Sequence, residues 1–173
     1  MLRGDSFNSK IKTSKIHLEA QKILTQTKIL KTLSKFGNVR IGGSFYTDLM
    51  FDPDIDISVA SANPRKSARE FLQTIVKKRI FQKYQYGDFE KFPRKNRPKA
   101  HIVVLILPFN SRQWEIEIWF VKKHNSEQIV LEEKLKNLSA KKKAEIVKLK
   151  VGRAASGMDK HALSSFEIYQ NFI

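Results

Sequence analysis

Apolar side chains recur through residues 16–36 at Ile16, Ala20, Ile23, Leu24, Leu30 and Leu33, with Thr27 in phase. This three-to-four spacing predicts one helix, and Gly37 supplies its stop. Residues 39–41 read as a short strand running into Gly42, Gly43 and Ser44. Ile55, Ile57 and Val59 then alternate with Asp54, Asp56 and Ser58, the period of two that marks a half-buried strand. Asn63 and Pro64 open a helix over 65–80, because proline fits the first helical turn. A strand over 81–87, a basic loop over 88–99 and a buried strand over 100–107 follow. Turn chemistry at 108–112 leads into a second alternating stretch, 113–121, so the last two strands form a hairpin. Helical spacing returns at 126–137, at 139–155 and in a final helix that Ser164 and Glu167 open as a capping box.

This layout predicts an α+β fold, a mixed β-sheet with flanking helices. The expected division is a core over 1–121 and a helical tail over 122–173 packed on it. Apolar residues make up 41% of the 173, with 12 Phe, 4 Tyr and 2 Trp, enough bulk for a packed core. There is no cysteine, which removes disulfides, thiolate zinc sites, iron–sulfur clusters and cysteine nucleophiles together. No stretch approaches the ~18 to 20 apolar residues of a membrane span, and residues 1–14 lack the apolar centre of a secretory signal. A transit peptide fits poorly with Gly4 and Asp5. The expectation is a soluble, cytoplasmic protein with no membrane partner.

Thirty-three basic residues against 17 acidic ones give a formal charge of +16. Such a balance suits a polyanionic partner such as nucleic acid or nucleotide phosphates. It also suits a lysine-rich solvated surface, and the charge alone does not decide. The informative feature is where the basic residues are missing. Between Arg40 and Arg65 there is no Lys or Arg, yet Asp48, Asp52, Asp54 and Asp56 lie there; between Arg112 and Lys122 the acids are Glu115 and Glu117.

Alternation gives these acids a geometry. Asp54 and Asp56 leave one face of their strand, and Glu115, Glu117 and Trp119 share one face of theirs. If the two strands are neighbours, several carboxylates converge, and their repulsion calls for a divalent cation with oxygen ligands, most simply Mg²⁺. The same pattern also describes an exposed strand face whose acids keep an edge soluble. Upstream, Gly42, Gly43 and Ser44 let backbone approach a ligand and offer donors to phosphate oxygens, although the same triplet makes an ordinary turn.

Gly43-Ser44, Thr47, Leu49-Met50 and Asp54-Ile55-Asp56-Ile57, followed by Glu117 within 114–120, resemble the active-site signature of the DNA polymerase β-like nucleotidyltransferase superfamily. The likeness covers roughly residues 16–120. It implies a small transferase that moves a nucleoside monophosphate from an NTP, ATP first among them, to an acceptor hydroxyl with release of pyrophosphate. It further implies two Mg²⁺ ions held by Asp54, Asp56 and Glu117, and a nucleotide site at Gly43, Ser44 and Thr47. Glu115 and Trp119 are accessory candidates. The acceptor is unassigned, RNA or another nucleic acid being the candidate the charge suggests. By the same analogy a homodimer completes the cleft that one small lobe leaves open.

The chain departs from the superfamily pattern at Asp48, where many relatives carry Gly, and at Glu117, where the third acid is usually Asp. A second reading is therefore a basic nucleic-acid-binding module on a scaffold that has lost catalysis, and a third is a partner-dependent enzyme. His17, His101, His124 and His161 show no ligand spacing and read as structural. The basic loop at 91–99 reads as either a nucleic-acid track or a solvated loop. Lys141, Lys142 and Lys143 read as a solvated helix start, and Arg153 and Lys160 as basic residues within reach of a nucleotide.

Overall fold

A single residue divides the first predicted helix. Helix α1 spans Gly4–Thr27, Lys28 adopts the left-handed φ of 51°, and α2 spans Ile29–Leu33. An unbroken helix would turn Ile29 about 200° away from Thr27. The left-handed step instead brings Ile29, Thr32 and Leu33 to the core. The structure is a computed structural model. It describes the backbone of residues 4–93, 97–156 and 165–173 and the side chains of 15–93, 97–156, 165 and 168–173. The capping box of Ser164 and Glu167, and also Lys160 and His161, lie outside what is described.

The remaining elements are β1 (Asn38–Ile41), α3 (Gly43–Tyr46), β2 (Asp54–Ala60), α4 (Pro64–Val76), β3 (Lys83–Asp88), β4 (His101–Phe109), β5 (Arg112–Val121), α5 (Ser126–Lys136), α6 (Ala140–Ala155) and α7 (Ser165–Gln170). Helix α4 opens as expected, with the Asn63 side chain accepting from Lys66 N at 3.1 Å and Pro64 in the first turn. It stops four residues short of the predicted end. Lys78 and Arg79 bond back to Ile75 and Val76, tightening the last turn, and Arg79 takes a φ of 50°.

The five strands form one sheet in the order β1-β2-β5-β4-β3. Only β2 and β5 are parallel; the other neighbours are antiparallel, so the sheet is mixed. The predicted hairpin joins β4 and β5. Asn110 and Ser111 both have positive φ (49° and 60°), the two-residue turn whose twist matches paired strands.

One face of the sheet packs under α1, α2 and α4 through Ile55, Ile57, Ile116, Ile118 and Phe120. Phe71 of α4 sits edge-on to Phe36 at 5.9 Å and tilted against Phe120 at 5.7 Å, which fixes α4 to the sheet. A second apolar cluster joins Leu49 to Leu135, Ile146, Val147, Ile168 and Tyr169. Helices α5, α6 and α7 are thereby held against the segment that follows α3. Among the described residues, no helix is long and apolar enough to cross a membrane.

Candidate active site

The register of the one parallel pair builds the site. Asp54 lies opposite Glu115 and Asp56 opposite Glu117. Adjacent strands are about 4.8 Å apart, so four carboxylates stand two by two on the face away from the main core. The isoleucines between them are fully buried on the other face. The cost of this arrangement appears in Asp56, whose carboxyl is pushed up to about 8. Burial is the largest cause; the charges of Asp54 and Glu117 add to it, Lys150 opposes it and Glu132 adds a little.

The glycine turn is packed directly against that carboxylate. Gly42 N donates to Asp56 O at 3.0 Å, continuing the sheet by one bond. Gly43 has a φ of +62°, and a Cβ there would lie 2.1 Å from Asp56 Oδ2, so both conformation and space require glycine. Ser44 Oγ faces Asp54 Oδ1 at 3.5 Å, at the outer limit of a hydrogen bond. Thr47 differs from the expectation. It is 1% exposed and its hydroxyl donates to Gly43 O at 3.0 Å, so it braces the turn from within.

Three charged residues were not legible as part of the site. Glu132 of α5 is buried, accepts from Gly43 N at 2.7 Å and from Gln128 Nε2 at 2.9 Å, and forms an ion pair with Arg40. Lys150 of α6 is also buried; its Nζ donates to Leu49 O at 3.0 Å and its charge reaches Asp56. Glu132 stands three before Leu135 and Lys150 four after Ile146, spacings that by themselves do not tell a buried charge from a solvated one.

Asp48, the extra acid, turns outward. It has a φ of 59°, lies 3.3 Å from Lys143 Nζ and 3.8 Å from His17 Nδ1, and His17 in turn stacks on Phe45 at 4.4 Å. Lys143, read as solvated, thus compensates it. Trp119 donates its indole N–H to Glu117 Oε2 at 3.3 Å, packs against Phe89 and carries the Arg97 guanidinium 5.4 Å above its ring. The described part of the basic loop therefore folds beside the third acid. His124 bonds Ser58 Oγ at 2.8 Å and is held below its usual value by burial and by Arg40.

Asp54, Asp56 and Glu117 suit a hard divalent cation. All their donors are oxygen, and a cation would relieve the repulsion that adds to burial in raising Asp56. Among the described residues, no three acidic or histidine side chains stand at ligand distance around one point.

Sheet, turn and carboxylate face together define the nucleotidyltransferase fold, the fold that the resemblance to the DNA polymerase β-like superfamily implies. Solved structures similar to this chain include the polymerase core of TRAMP, an RNA surveillance complex, at 21% identity and a TM-score of 0.60 over 90% of this chain and 48% of that one. The Cid1 poly(U) polymerase with magnesium and 3′-dATP matches at 19% identity and 0.57, over 79% and 41%. A cytoplasmic RNA terminal U-transferase matches at 19% and 0.55, over 79% and 39%. The chain thus spans less than half the length of these structures. No protein-family model and no curated protein sequence matches it.

Proposed function

We propose that the chain is a metal-dependent nucleotidyltransferase that moves a nucleoside monophosphate from an NTP to an acceptor hydroxyl, with pyrophosphate leaving. The observation that carries this reading is the registered pair Asp56 and Glu117, with Asp54 beside them and Asp56 pushed up first by burial and then by their charges. Asp54, Asp56 and Glu117 would hold Mg²⁺, in two ions by analogy. Bound there, Mg²⁺ supplies positive charge to both the triphosphate and the attacking oxygen. Gly43 lets backbone approach the phosphates, the Ser44 hydroxyl offers a donor, and Lys150 adds the nearby cation. Glu117, oriented by the Trp119 indole N–H, is the acid closest to an acceptor entering over Trp119.

The neighbours' printed names, poly(U) polymerase and RNA terminal U-transferase, together with the charge of +16, favour a nucleic-acid acceptor. They place UTP beside ATP among the donors to test. A homodimer remains part of the proposal because one lobe leaves the carboxylate face open.

One observation favours the second reading, a nucleic-acid-binding module without catalysis. The Glu132 carboxylate already occupies the Gly43 N–H that a phosphate oxygen would use. Thermal unfolding with each NTP, with and without Mg²⁺, separates the two. A nucleotide at about 100 times its dissociation constant adds roughly 2.7 kcal/mol, about 5 to 11 °C for a chain of this size. A shift that needs both Mg²⁺ and the aspartates, and is absent in Asp54→Asn/Asp56→Asn, supports transfer. No shift with any nucleotide overturns it in favour of the second reading.

A further inference from the structure

On the sheet face away from the carboxylates, α4 and the edge strand β3 flank an open cleft of about 490 Å³. Tyr86 of β3 is registered to Val103, and Val103 to the buried Ile118, which fixes the face. The cleft is lined by Arg65, Arg69, Leu72, Gln73, Tyr86 and Asp88. Arg65, Arg69 and Gln73 occupy successive i, i+4 positions of α4, about 6 Å apart along its axis. Among the described residues neither guanidinium has a carboxylate within 4 Å; the ion pair on this helix is Lys66 with Glu70.

A buried relay stands behind the cleft. His101, 2% exposed, has Nε2 3.0 Å from Glu90 Oε2 and Nδ1 2.9 Å from the Tyr86 hydroxyl. With Nε2–H donating to Glu90, Nδ1 accepts the phenol proton. The Tyr86 hydroxyl is thereby tied to His101, and Arg65 lines the cleft with it. Asp88, the acid of the lining, is already engaged. Its Oδ1 accepts from Lys91 N at 2.9 Å and lies 3.6 Å from His101 Nδ1. The lining thus holds two basic groups to one acid, and that acid already accepts a backbone hydrogen bond.

We propose that this cleft binds consecutive backbone phosphates of a single-stranded nucleic acid, one at Arg65 and one at Arg69. The guanidinium fork matches phosphate oxygens in pairs, Leu72, about one turn beyond Arg69, gives the next sugar an apolar surface, and the charge of +16 draws a polyanion to the protein. Because the phosphates are recognised and the bases are not, RNA and DNA strands bind alike. The site lies across the sheet from Asp54, Asp56 and Glu117, so the proposal stands independently of the transferase reading.

The test is fluorescence anisotropy with labelled single-stranded RNA and DNA of equal length, titrated between about 50 and 200 mM salt. Arg65→Ala/Arg69→Ala removes two exposed side chains, and its melting temperature checks that the fold is kept. Affinity for both strands should fall about tenfold, and the slope of log K against log salt should flatten by about 1.4, two phosphates at about 0.7 each. Tyr86→Phe, which removes a hydroxyl from the cleft lining, should lose affinity by a smaller factor. Lys31→Ala/Lys35→Ala, an exposed pair at the same spacing elsewhere, should change little. Wild-type affinity and slope in the arginine variant overturn the proposal, as does equal loss in the lysine control. Inorganic phosphate that raises the melting temperature through Arg65 and Arg69, while oligonucleotides bind the variant normally, also overturns it and leaves a small-anion site.

Discussion

Glu132 reaches back 89 positions along the chain to accept a hydrogen bond from Gly43 N at 2.7 Å. A helix of the C-terminal segment thus sets the glycine turn in place, and the turn in turn abuts Asp56. Arg40, on the neighbouring strand, pairs with the carboxylate and offsets part of its charge. The same contact presents negative charge where the proposed triphosphate would sit, so Glu132 both shapes and guards the turn.

Two substitutions separate those effects. Glu132→Gln keeps an acceptor for Gly43 and removes the charge that pairs with Arg40, so Mg²⁺–NTP affinity should rise severalfold while the melting temperature falls by less than in the alanine variant. Glu132→Ala leaves Arg40 and the Gly43 N–H without their partner, a loss on the order of 3 kcal/mol, or about 6 to 12 °C. Nucleotide titration calorimetry and thermal unfolding read both. Equal behaviour of the two variants would show that the carboxylate's charge has no part in the effect.

Asp56 makes the metal-free protein pH-dependent. Its carboxyl titrates near 8 when folded and near 3.8 when unfolded, so between those values the native state binds more protons than the unfolded one. Stability from this group therefore falls as pH rises from about 3.8 to about 8 and is level above. Asp56→Asn should melt several degrees above wild type at pH 9 without divalent metal, and the gap should close towards pH 4. Adding Mg²⁺ should stabilise wild type and not the variant. A gap that does not change with pH would mean that Asp56 does not carry the repulsion.

Gly43→Ala places a methyl group 2.1 Å from Asp56 Oδ2 in a left-handed backbone conformation. Either the turn or the carboxylate must move, at a cost of about 1 to 3 kcal/mol. Metal-dependent nucleotide binding should be lost while the protein still folds. Gly152→Ala, where an added Cβ meets nothing within 4 Å, is the matched control and should be neutral or slightly stabilising. Circular dichroism melts and nucleotide titrations distinguish the pair.

The alternation of Asp54 with Ile55 and of Glu115 with Ile116 was readable because a strand's period of two fixes faces without reference to a partner. The pairing of β2 with β5 was not, since parallel neighbours about 60 positions apart are joined by packing and not by a local turn. Lys28 broke a helix that periodicity alone ran straight through, because the reason lies in where Ile29 must point. Glu132 and Lys150 escaped for a related cause. A charged residue on a helix normally reads as solvated, and only the tertiary fold shows that these two are buried against Gly43 and Leu49. Thr47 has the composition of a phosphate ligand, yet its hydroxyl closes on Gly43 O.

Lys150 supplies the last prediction. Its charge lowers the Asp56 titration that burial and the other acids raise. Lys150→Met keeps the apolar stem and removes that charge, so Asp56 should hold its proton to still higher pH. A carboxylate must be deprotonated to bind a cation, so Mn²⁺ affinity at pH 7 should fall. Raising the pH to about 9 should restore most of it, a recovery that simple unfolding would not give. Electron paramagnetic resonance of bound Mn²⁺ across pH reads the outcome directly. An affinity that falls without recovering at high pH would assign Lys150 to bracing Leu49 O, and the cation beside Asp56 would have no electrostatic part in the site.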